Sequence, residues 1–248
     1  TAHSHSSVEK AALLAGFGRA HVRTVAHDDR FAMRPESLAA AIAEDLAEGR
    51  RPCAVVATTG STSTTAMDPV KEIARVVEPH RIWLHVDAAM AGSAMILPEC
   101  RHLWDGIEQA DSVVVNPHKW LGASFDCSAY YVRDPEHLVR VMSTNPSYLQ
   151  SNADGEVVQY RDWGIPLGRR FRALKLWFHL RLDGVDAIRD RIRRDLANAH
   201  WLEEQVAATP NWELVAPVTL QTVCVRHIPP GVAGDALEAH TTAWCDAV

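Results

Sequence analysis

Short apolar segments alternate with helical segments along this 248-residue chain, and this alternation limits its fold more than any other feature. Helical patterns begin at Pro35, with Leu38 and Ile42 on one face, and at Pro69. Between the helical patterns lie apolar runs of 4–6 residues at 53–58, 82–86, 112–115 and 127–132. Such strands between helices are typical of a mainly parallel sheet buried on both faces. The pattern therefore predicts an α/β fold.

The segments before and after this alternation also predict regular structure. Ser4 or Ser6 predicts the start of a first helix, with Glu9 placed to complete a capping box, and a short strand is expected at 21–25. Residues 144–160 are polar and predict a loop. After this loop the pattern predicts two long helices, two strands and a last helix, at 169–182, 185–207, 212–215, 219–225 and 234–248.

The change of pattern after the first long helix predicts two domains. We expect residues 1–182 to form a large domain and residues 183–248 to begin a small C-terminal α+β domain. The chain opens at Thr1 without a Met and stops at Val248 inside a predicted helix. We therefore expect a fragment of a longer chain, with the large domain incomplete at its N-terminus.

Composition excludes several classes of protein. Hydrophobic residues make up 47% and charged residues 23% of the chain, the balance of a soluble globular protein. A net charge of -6 without a run of Lys or Arg argues against nucleic-acid binding, and no apolar run approaches the ~20 residues of a membrane span. Five scattered cysteines without a CxxC pair indicate neither disulfides nor a metal site. With no secretory signal at the start, these cysteines fit a cytoplasmic protein.

Lys119 follows the predicted strand at 112–115, and ligands of parallel sheets bind where the strands end. A lysine at the mouth of a sheet is partly desolvated, which lowers its pKa and frees the amine as a nucleophile. Taken alone, Lys119 favours interpretation as a solvated loop lysine, the far commoner situation for this residue type.

Asp87 ends the predicted strand at 82–86, at the same edge of the sheet. A carboxylate there needs a cationic or hydrogen-bonding partner. The pyridinium N–H of pyridoxal phosphate (PLP) is such a partner, and a protonated ring nitrogen makes that ring an electron sink. A helix cap or a metal ligand are the alternatives, and the metal reading is weakened because no second carboxylate lies nearby in sequence. The small residues at 88–92 leave room for a flat ligand.

Two further segments carry polar groups near predicted strand ends or helix starts. His5 is suited to stack on a flat ring, although a solvated residue at a helix start is an equal alternative. The hydroxyl-rich segment at 58–65 follows a strand and could bond a cofactor, or form an ordinary polar turn. Each feature is weak alone, but together they place an acid, an amine and hydroxyls at one sheet edge.

Five segments of the chain resemble, in order, the group II PLP-dependent decarboxylases, in the aromatic-L-amino-acid decarboxylase branch. They are HSSVEKA, HVDAAMAGS, NPHKWL, FDCSA and YRDWGIPLGRRFR, at 5–11, 85–93, 116–121, 125–129 and 160–172. The resemblance implies the aspartate aminotransferase-like fold (PLP fold type I) and a homodimer with its sites at the subunit interface.

The resemblance also implies a cofactor, pyridoxal 5′-phosphate, and a role for each matching residue. Lys119 would be the Schiff-base lysine, and Tyr148, on a mobile loop, the acid that protonates the α-carbon. Asp87 would pair with the pyridine nitrogen while His5 stacks on the ring. The remaining cofactor-binding residues are those expected to line the ring or to lie near the phosphate: Thr62, Ala89, Asn116 and His118.

The implied reaction is decarboxylation of an L-amino acid, of the DOPA, tryptophan or tyrosine type, to the amine and CO2. Tyr148 favours this outcome, because relatives that release an aldehyde typically carry Phe there. Met90 stands where the family has Tyr, which alters one wall of the site. The family's N-terminal region, with part of the phosphate cradle, is absent from the chain. An aldehyde synthase, a glutamate- or sulfinate-type decarboxylase and an inactive truncated paralogue are the alternatives.

Overall fold

The structure, a computed structural model, describes residues 1–144, 146 and 156–247. Its main sheet has four strands in the order β1-β2-β3-β4. The strands are Ala54–Thr58 (β1), Trp83–Asp87 (β2), Ser112–Val115 (β3) and Ala129–Val132 (β4). β1, β2 and β3 run parallel, whereas β4 pairs with β3 in the antiparallel sense. The predicted α/β fold with a mainly parallel sheet is therefore confirmed.

Helices surround this sheet, and a second, two-stranded sheet follows it. The α-helices of the described residues are Ser7–Leu14 (α1), Pro35–Ala47 (α2), Val70–Val77 (α3), Glu136–Met142 (α4), Arg172–Leu182 (α5), Val185–Ala208 (α6) and Asp235–Ala247 (α7). The strands Trp212–Leu214 (β5) and Val225–His227 (β6) pair antiparallel. No helix in this part of the chain is both long and apolar enough to cross a membrane.

Two apolar clusters hold the described part of the chain together. In the first, Ile42 of α2 and Ile73 of α3 belong to the same cluster as Val86 of β2. In the second, Ile188 and Ile192 of α6 join the segments that follow β2 and β3, through Leu97, Trp104, Trp120 and Leu121. Ile192 has no exposed surface, and burial of one such side chain stabilises the fold by about 2 kcal/mol.

The strand predicted at 21–25 is wrong. Residues Arg19–His21 form one turn of 3-10 helix, and the following segment makes only an isolated bridge between His27 and Met33. The reason is visible at Arg23, whose guanidinium bonds the Ala41 carbonyl oxygen and Asp45 of α2. These bonds tie the segment across a helix, away from any strand partner within the described residues.

Two other local expectations also fail. The capping box does not form, because Ser6 makes no side-chain cap and Glu9 pairs with Arg19. Ser4 bonds Thr58 at the end of β1 instead. The strand predicted at 219–225 begins only at Val225. The apolar residues before Val225 led the prediction to start the strand too early.

The predicted division after residue 182 is not marked by a change in packing. α6 lies beyond that position, yet Ile188 and Ile192 are part of the second apolar cluster. β5 and β6 do form a sheet of their own, separate from β1–β4. The domain boundary therefore stays a prediction.

Asp68 is buried, and its carboxylate joins the end of β1 to the segment before α2. Oδ2 accepts a hydrogen bond from the Thr58 N–H and Oδ1 accepts one from the Met33 N–H, both at 2.7 Å. Burial raises the pKa of Asp68, and the two N–H donors act against that rise. The carboxylate thus fixes a strand end by satisfying two buried main-chain donors.

We expect Asp68→Ala to lower the free energy of unfolding by about 3 kcal/mol, because two buried N–H groups lose their acceptor. Asp68→Asn keeps one acceptor oxygen and should lose roughly half as much. Urea unfolding followed by circular dichroism measures both. The control is Asp105→Ala, which removes an exposed ion pair with Lys71 and should have a far smaller effect. Equal losses for Asp68→Ala and Asp105→Ala would contradict this role.

Candidate active site

The parallel strands bring three polar chain segments to one edge of the sheet. In the hydrogen-bonded register, Asp87 at the end of β2 lies beside Thr58 of β1 on one side and Val114 of β3 on the other. A cavity of about 400 Å³ opens at this edge. Its volume falls within the range of roughly 300–1,000 Å³ typical of small-molecule sites. Its lining residues are His5, Ser7, Thr58, Gly60, Thr62, Asp87, Ala89, Met90, Val114, Asn116, Lys119 and Ser128.

Six of the eight predicted site residues line this one cavity. They are His5, Thr62, Asp87, Ala89, Asn116 and Lys119. His118 is not among the lining residues, and Tyr148 lies outside the residues that the structure describes. The acid and the amine expected to act together therefore face the same space.

Asp87 is half-buried, with one oxygen engaged by the main chain. Oδ1 accepts a hydrogen bond from the Ala89 N–H at 3.0 Å. No Lys, Arg or His of the described residues forms an ion pair with this carboxylate. A partly desolvated carboxylate without a cationic partner favours a positively charged or N–H-bearing ligand.

The side chain next to Asp87 on the same face of β2 is His85, and burial disfavours its charged form. Trp83 Nε1–H donates to Ser112 Oγ at 2.9 Å, and Ser112 Oγ lies 2.8 Å from His85 Nδ1. Burial lowers the pKa of His85, and the charge of Asp87 acts against that decrease.

Lys119 and Asn116 share the tight turn that follows β3. The Asn116 N–H donates to the Ala89 carbonyl oxygen at 3.0 Å, and the Lys119 N–H donates to the Asn116 carbonyl oxygen at 2.9 Å. No carboxylate of the described residues pairs with the Lys119 amine. Asn116 Oδ1 is buried and has no hydrogen-bond partner in this part of the chain. An unpaired buried acceptor beside a cavity indicates a ligand donor.

His5 reaches the cavity because its segment is held at the end of β1. Ser4 Oγ lies 3.2 Å from Thr58 Oγ1. His5 Nδ1 lies 2.8 Å from Ser7 Oγ and 3.2 Å from the Ser7 backbone nitrogen. The flat faces of the ring suit contact with an aromatic ligand.

His118 is not among the residues that line the cavity. Its Nδ1 lies 2.7 Å from the Cys127 carbonyl oxygen, and its ring packs edge-on against Phe125. These contacts hold the ring against the loop before β4. The expected place of His118 near a phosphate stays a prediction.

Ser128 lines the cavity but was not predicted as a site residue. It directly precedes β4, which is antiparallel to β3, so β4 starts where β3 ends. The sequence indicated a strand there without indicating its direction. Its place in the segment FDCSA, at 125–129, was the one available signal.

At Gly60, the loop after β1 approaches Ala91 so closely that a side chain would not fit. Its φ is +80°, and a Cβ built on it would lie 2.1 Å from Ala91 Cβ. Gly92 is similarly enclosed, because an added Cβ would lie 2.7 Å from Val115 Cγ2. The loop after β1 therefore approaches the turn after β2 through Gly60 and Ala91.

The family model described as the pyridoxal-dependent decarboxylase conserved domain matches residues 1–228. The chain belongs to this decarboxylase family. The aromatic-L-amino-acid decarboxylase of Drosophila lebanonensis is 46% identical over 226 residues, which are 91% of this chain and 55% of that protein. The phenylacetaldehyde synthase of Arabidopsis thaliana is 44% identical over 230 residues, 91% of this chain and 47% of that protein.

Solved structures agree with this membership in the pyridoxal-dependent decarboxylases. The crystal structure of Oryza sativa TDC with PLP and tryptamine matches with a TM-score of 0.91 and 40% identity, over 96% of this chain and 50% of that chain. The match confirms the predicted PLP fold type I. The chain spans about half the length of the relatives that it matches.

The cavity residues of this decarboxylase-family chain fit PLP at its ring end. Asp87 offers a carboxylate to a protonated pyridine nitrogen, Lys119 offers a primary amine to an aldehyde, and buried Asn116 Oδ1 lacks a donor. Lys119 is the one lysine or arginine among the described residues that line the cavity. The PLP ring would thus have complementary partners. For the phosphate, the described lining offers hydroxyl groups but no Lys or Arg other than Lys119.

We expect Gly60→Ala to lower the free energy of unfolding by about 3 kcal/mol, through positive-φ strain of about 1 kcal/mol and overpacking against Ala91. Gly49→Ala is the matched control. Gly49 has nearly the same φ, +75°, but no atom lies within 4 Å of an added Cβ. In denaturant unfolding, the free energy of unfolding of Gly49→Ala should fall only by the strain contribution. Similar losses for both variants would show that the close approach to Ala91 is unimportant.

Proposed function

We propose that the protein is a PLP-dependent decarboxylase that converts an aromatic L-amino acid to its amine and CO2. The observation that carries the proposal is the meeting of the Asp87 carboxylate and the Lys119 amine in one cavity, at the ends of neighbouring strands. The relatives support the substrate class, because they include an aromatic-L-amino-acid decarboxylase and a tryptophan decarboxylase.

Each cavity residue has a definite part in this proposal. PLP, when bound, supplies an electron sink that allows a carboxylate to leave an α-carbon as CO2. Lys119 would hold the cofactor covalently through its aldehyde. Asp87 would keep a proton on the pyridine nitrogen by ion pairing, which requires that no other cation neutralises this carboxylate. No Lys or Arg of the described residues forms an ion pair with Asp87, which meets that requirement.

Orientation within the cavity falls to residues around the ring. His5 presents an imidazole face, and the Thr62 and Ser128 hydroxyls can donate or accept hydrogen bonds. Met90 replaces the family's tyrosine with an apolar, flexible wall. Tyr148 as proton donor and His118 as phosphate neighbour stay predictions.

An aldehyde synthase is the second candidate, because the phenylacetaldehyde synthase is nearly as similar to this chain as the decarboxylases are. The two reactions start from the same amino acids but differ in product. Tyr148 favours the amine. Mass analysis of the product from DOPA, tryptophan and tyrosine separates the two, since an aldehyde as the main product would exclude simple decarboxylation.

We expect Lys119→Ala to lose covalent attachment of PLP and to slow amine formation by roughly a thousandfold. Borohydride reduction of the full chain with PLP, followed by peptide mass mapping, should place the modification on Lys119. Lys71→Ala, which changes a lysine paired with Asp105 outside the cavity, should retain both properties. Attachment to another lysine, or full activity of Lys119→Ala, would contradict the assignment.

We also propose a homodimer, as the family resemblance implies. The support is an apolar face on α5 and the segment before it, formed by Ile165, Leu167, Phe171, Leu174, Trp177 and Phe178, all exposed. Contiguous exposed apolar surface of this kind marks interaction sites. A second copy would cover it.

Trp177→Glu should shift the dimer to monomer at micromolar concentration, because a charge in a desolvated interface is costly. Light scattering coupled to size-exclusion chromatography measures the mass. Trp201→Glu, on the exposed surface of α6, is the control and should remain dimeric. A monomeric unsubstituted protein, or a dimeric Trp177→Glu variant, would contradict an interface at α5.

A cytoplasmic location is proposed from the cysteines. All five are free thiols in the structure, including the exposed Cys53 and Cys245. Free exposed thiols are typical of reducing compartments. Imaging of the tagged full chain in its own cells tests the location, and enclosure within an oxidising compartment would contradict it.

A further inference from the structure

The turn that carries Lys119 is held from outside the sheet by α5 and α6. Arg191 Nη2 of α6 donates to the Leu121 carbonyl oxygen at 2.6 Å and to the Trp120 carbonyl oxygen at 3.0 Å. His179 Nε2 of α5 lies 2.8 Å from the same Leu121 oxygen. Two side chains from two helices therefore converge on one carbonyl, two residues after Lys119.

His179 bonds the turn with one ring nitrogen and faces an acid with the other. Its Nδ1 lies 2.8 Å from Asp183 Oδ2, and its Nε2 faces the Leu121 carbonyl oxygen. A carbonyl oxygen only accepts hydrogen bonds, so Nε2 donates to it. The Leu121 oxygen thus accepts from an imidazole N–H and from a guanidinium, and a hydrogen bond from the charged guanidinium is the stronger kind.

The rest of the turn is shaped to admit these donors. Gly122 has a φ of +86°, and a Cβ built on it would lie 2.7 Å from Arg191 Nη2, so a side chain there would displace the guanidinium. The Gly122 N–H donates back to the Lys119 carbonyl oxygen at 3.0 Å. One turn further along α6, Asp195 Oδ2 accepts from Trp120 Nε1–H at 2.8 Å. Trp120 is buried in the second apolar cluster.

We propose that Arg191 and His179 are positioning residues that hold the Lys119 turn in register with Asp87, so that the amine and the carboxylate reach one ligand. The inference rests on the proposed function, in which Lys119 holds PLP. Neither side chain lines the cavity, so both act through the main chain of Trp120 and Leu121. A small displacement of the Lys119 turn would have a large effect, because misplacing a reacting group by about 1 Å lowers the rate roughly a hundredfold.

Titration of the full apo-chain with PLP, followed by the absorption of the lysine-bound cofactor, tests the proposal. We expect Arg191→Met to weaken PLP binding by roughly ten- to a hundredfold and His179→Leu by roughly tenfold, since hydrogen bonds to the turn are lost. His179→Gln and Arg191→Lys each keep an N–H donor and should restore part of the affinity. Partial rescue by these conservative variants separates positioning from a general packing role.

Arg193→Met is the matched control, because Arg193 lies on the same helix and pairs with Glu99 without contacting the turn. Its PLP affinity should equal that of the unsubstituted chain. Denaturant unfolding of each apo-variant shows whether an affinity loss follows from unfolding. If Arg191→Met does not fold, His179→Leu and His179→Gln carry the test, and the Gln variant should lose less PLP affinity than the Leu variant.

The proposal is overturned if His179→Leu and Arg191→Met bind PLP as tightly as Arg193→Met does. It is also overturned if the conservative variants lose as much affinity as the full removals. Failure of the proposed function has a different signature, since the unsubstituted chain would then show no lysine-bound cofactor at all. If the absorption band of lysine-bound PLP forms and the PLP affinity is unchanged in every variant, only the positioning role is rejected.

Discussion

The hydrogen-bonded register of β1, β2 and β3 is the constraint on which the site depends. Parallel pairing aligns the carboxyl ends of the three strands, so Thr58, Asp87 and Val114 become neighbours although the chain separates them widely. A slip of one residue would turn Asp87 to the opposite face of the sheet and separate it from the cavity. Asp68 secures the first of these ends, because its buried carboxylate accepts from the Thr58 N–H.

The chemistry at that edge follows from the Asp87 carboxylate, which forms no ion pair with a cationic side chain of the described residues. Asp87 receives one main-chain N–H, and burial lowers the pKa of its neighbour His85. A protonated ring nitrogen would be a suitable partner, and its pairing with Asp87 would keep the proton in place. The helices α5 and α6 would then matter for the opposite end of such a ligand, because they bond the turn that bears Lys119.

Local sequence patterns predicted the parts of this arrangement that local physics determines. Apolar runs between helices predicted the parallel sheet, and the polar residues at strand ends predicted Asp87 and Lys119. Ser128 was not predicted as a site residue, because no local pattern reveals the direction of β4. His118 is not among the cavity-lining residues, because its ring bonds the main chain of Cys127.

Contacts between distant parts of the chain lay beyond the reach of such patterns. The bond from Arg191 to the Leu121 carbonyl oxygen joins positions 70 residues apart, and no periodicity encodes it. The strand expected at 21–25 failed for a similar reason, since the bonds of Arg23 to α2 override a local β preference.

A crystal structure of the full chain with PLP tests the central claim most directly. The account predicts that an Asp87 carboxylate oxygen lies about 3 Å from the pyridine nitrogen, while the Lys119 amine is bonded to the aldehyde carbon of the same ring. A ring whose nitrogen faces another group, with Asp87 turned to solvent, would contradict it.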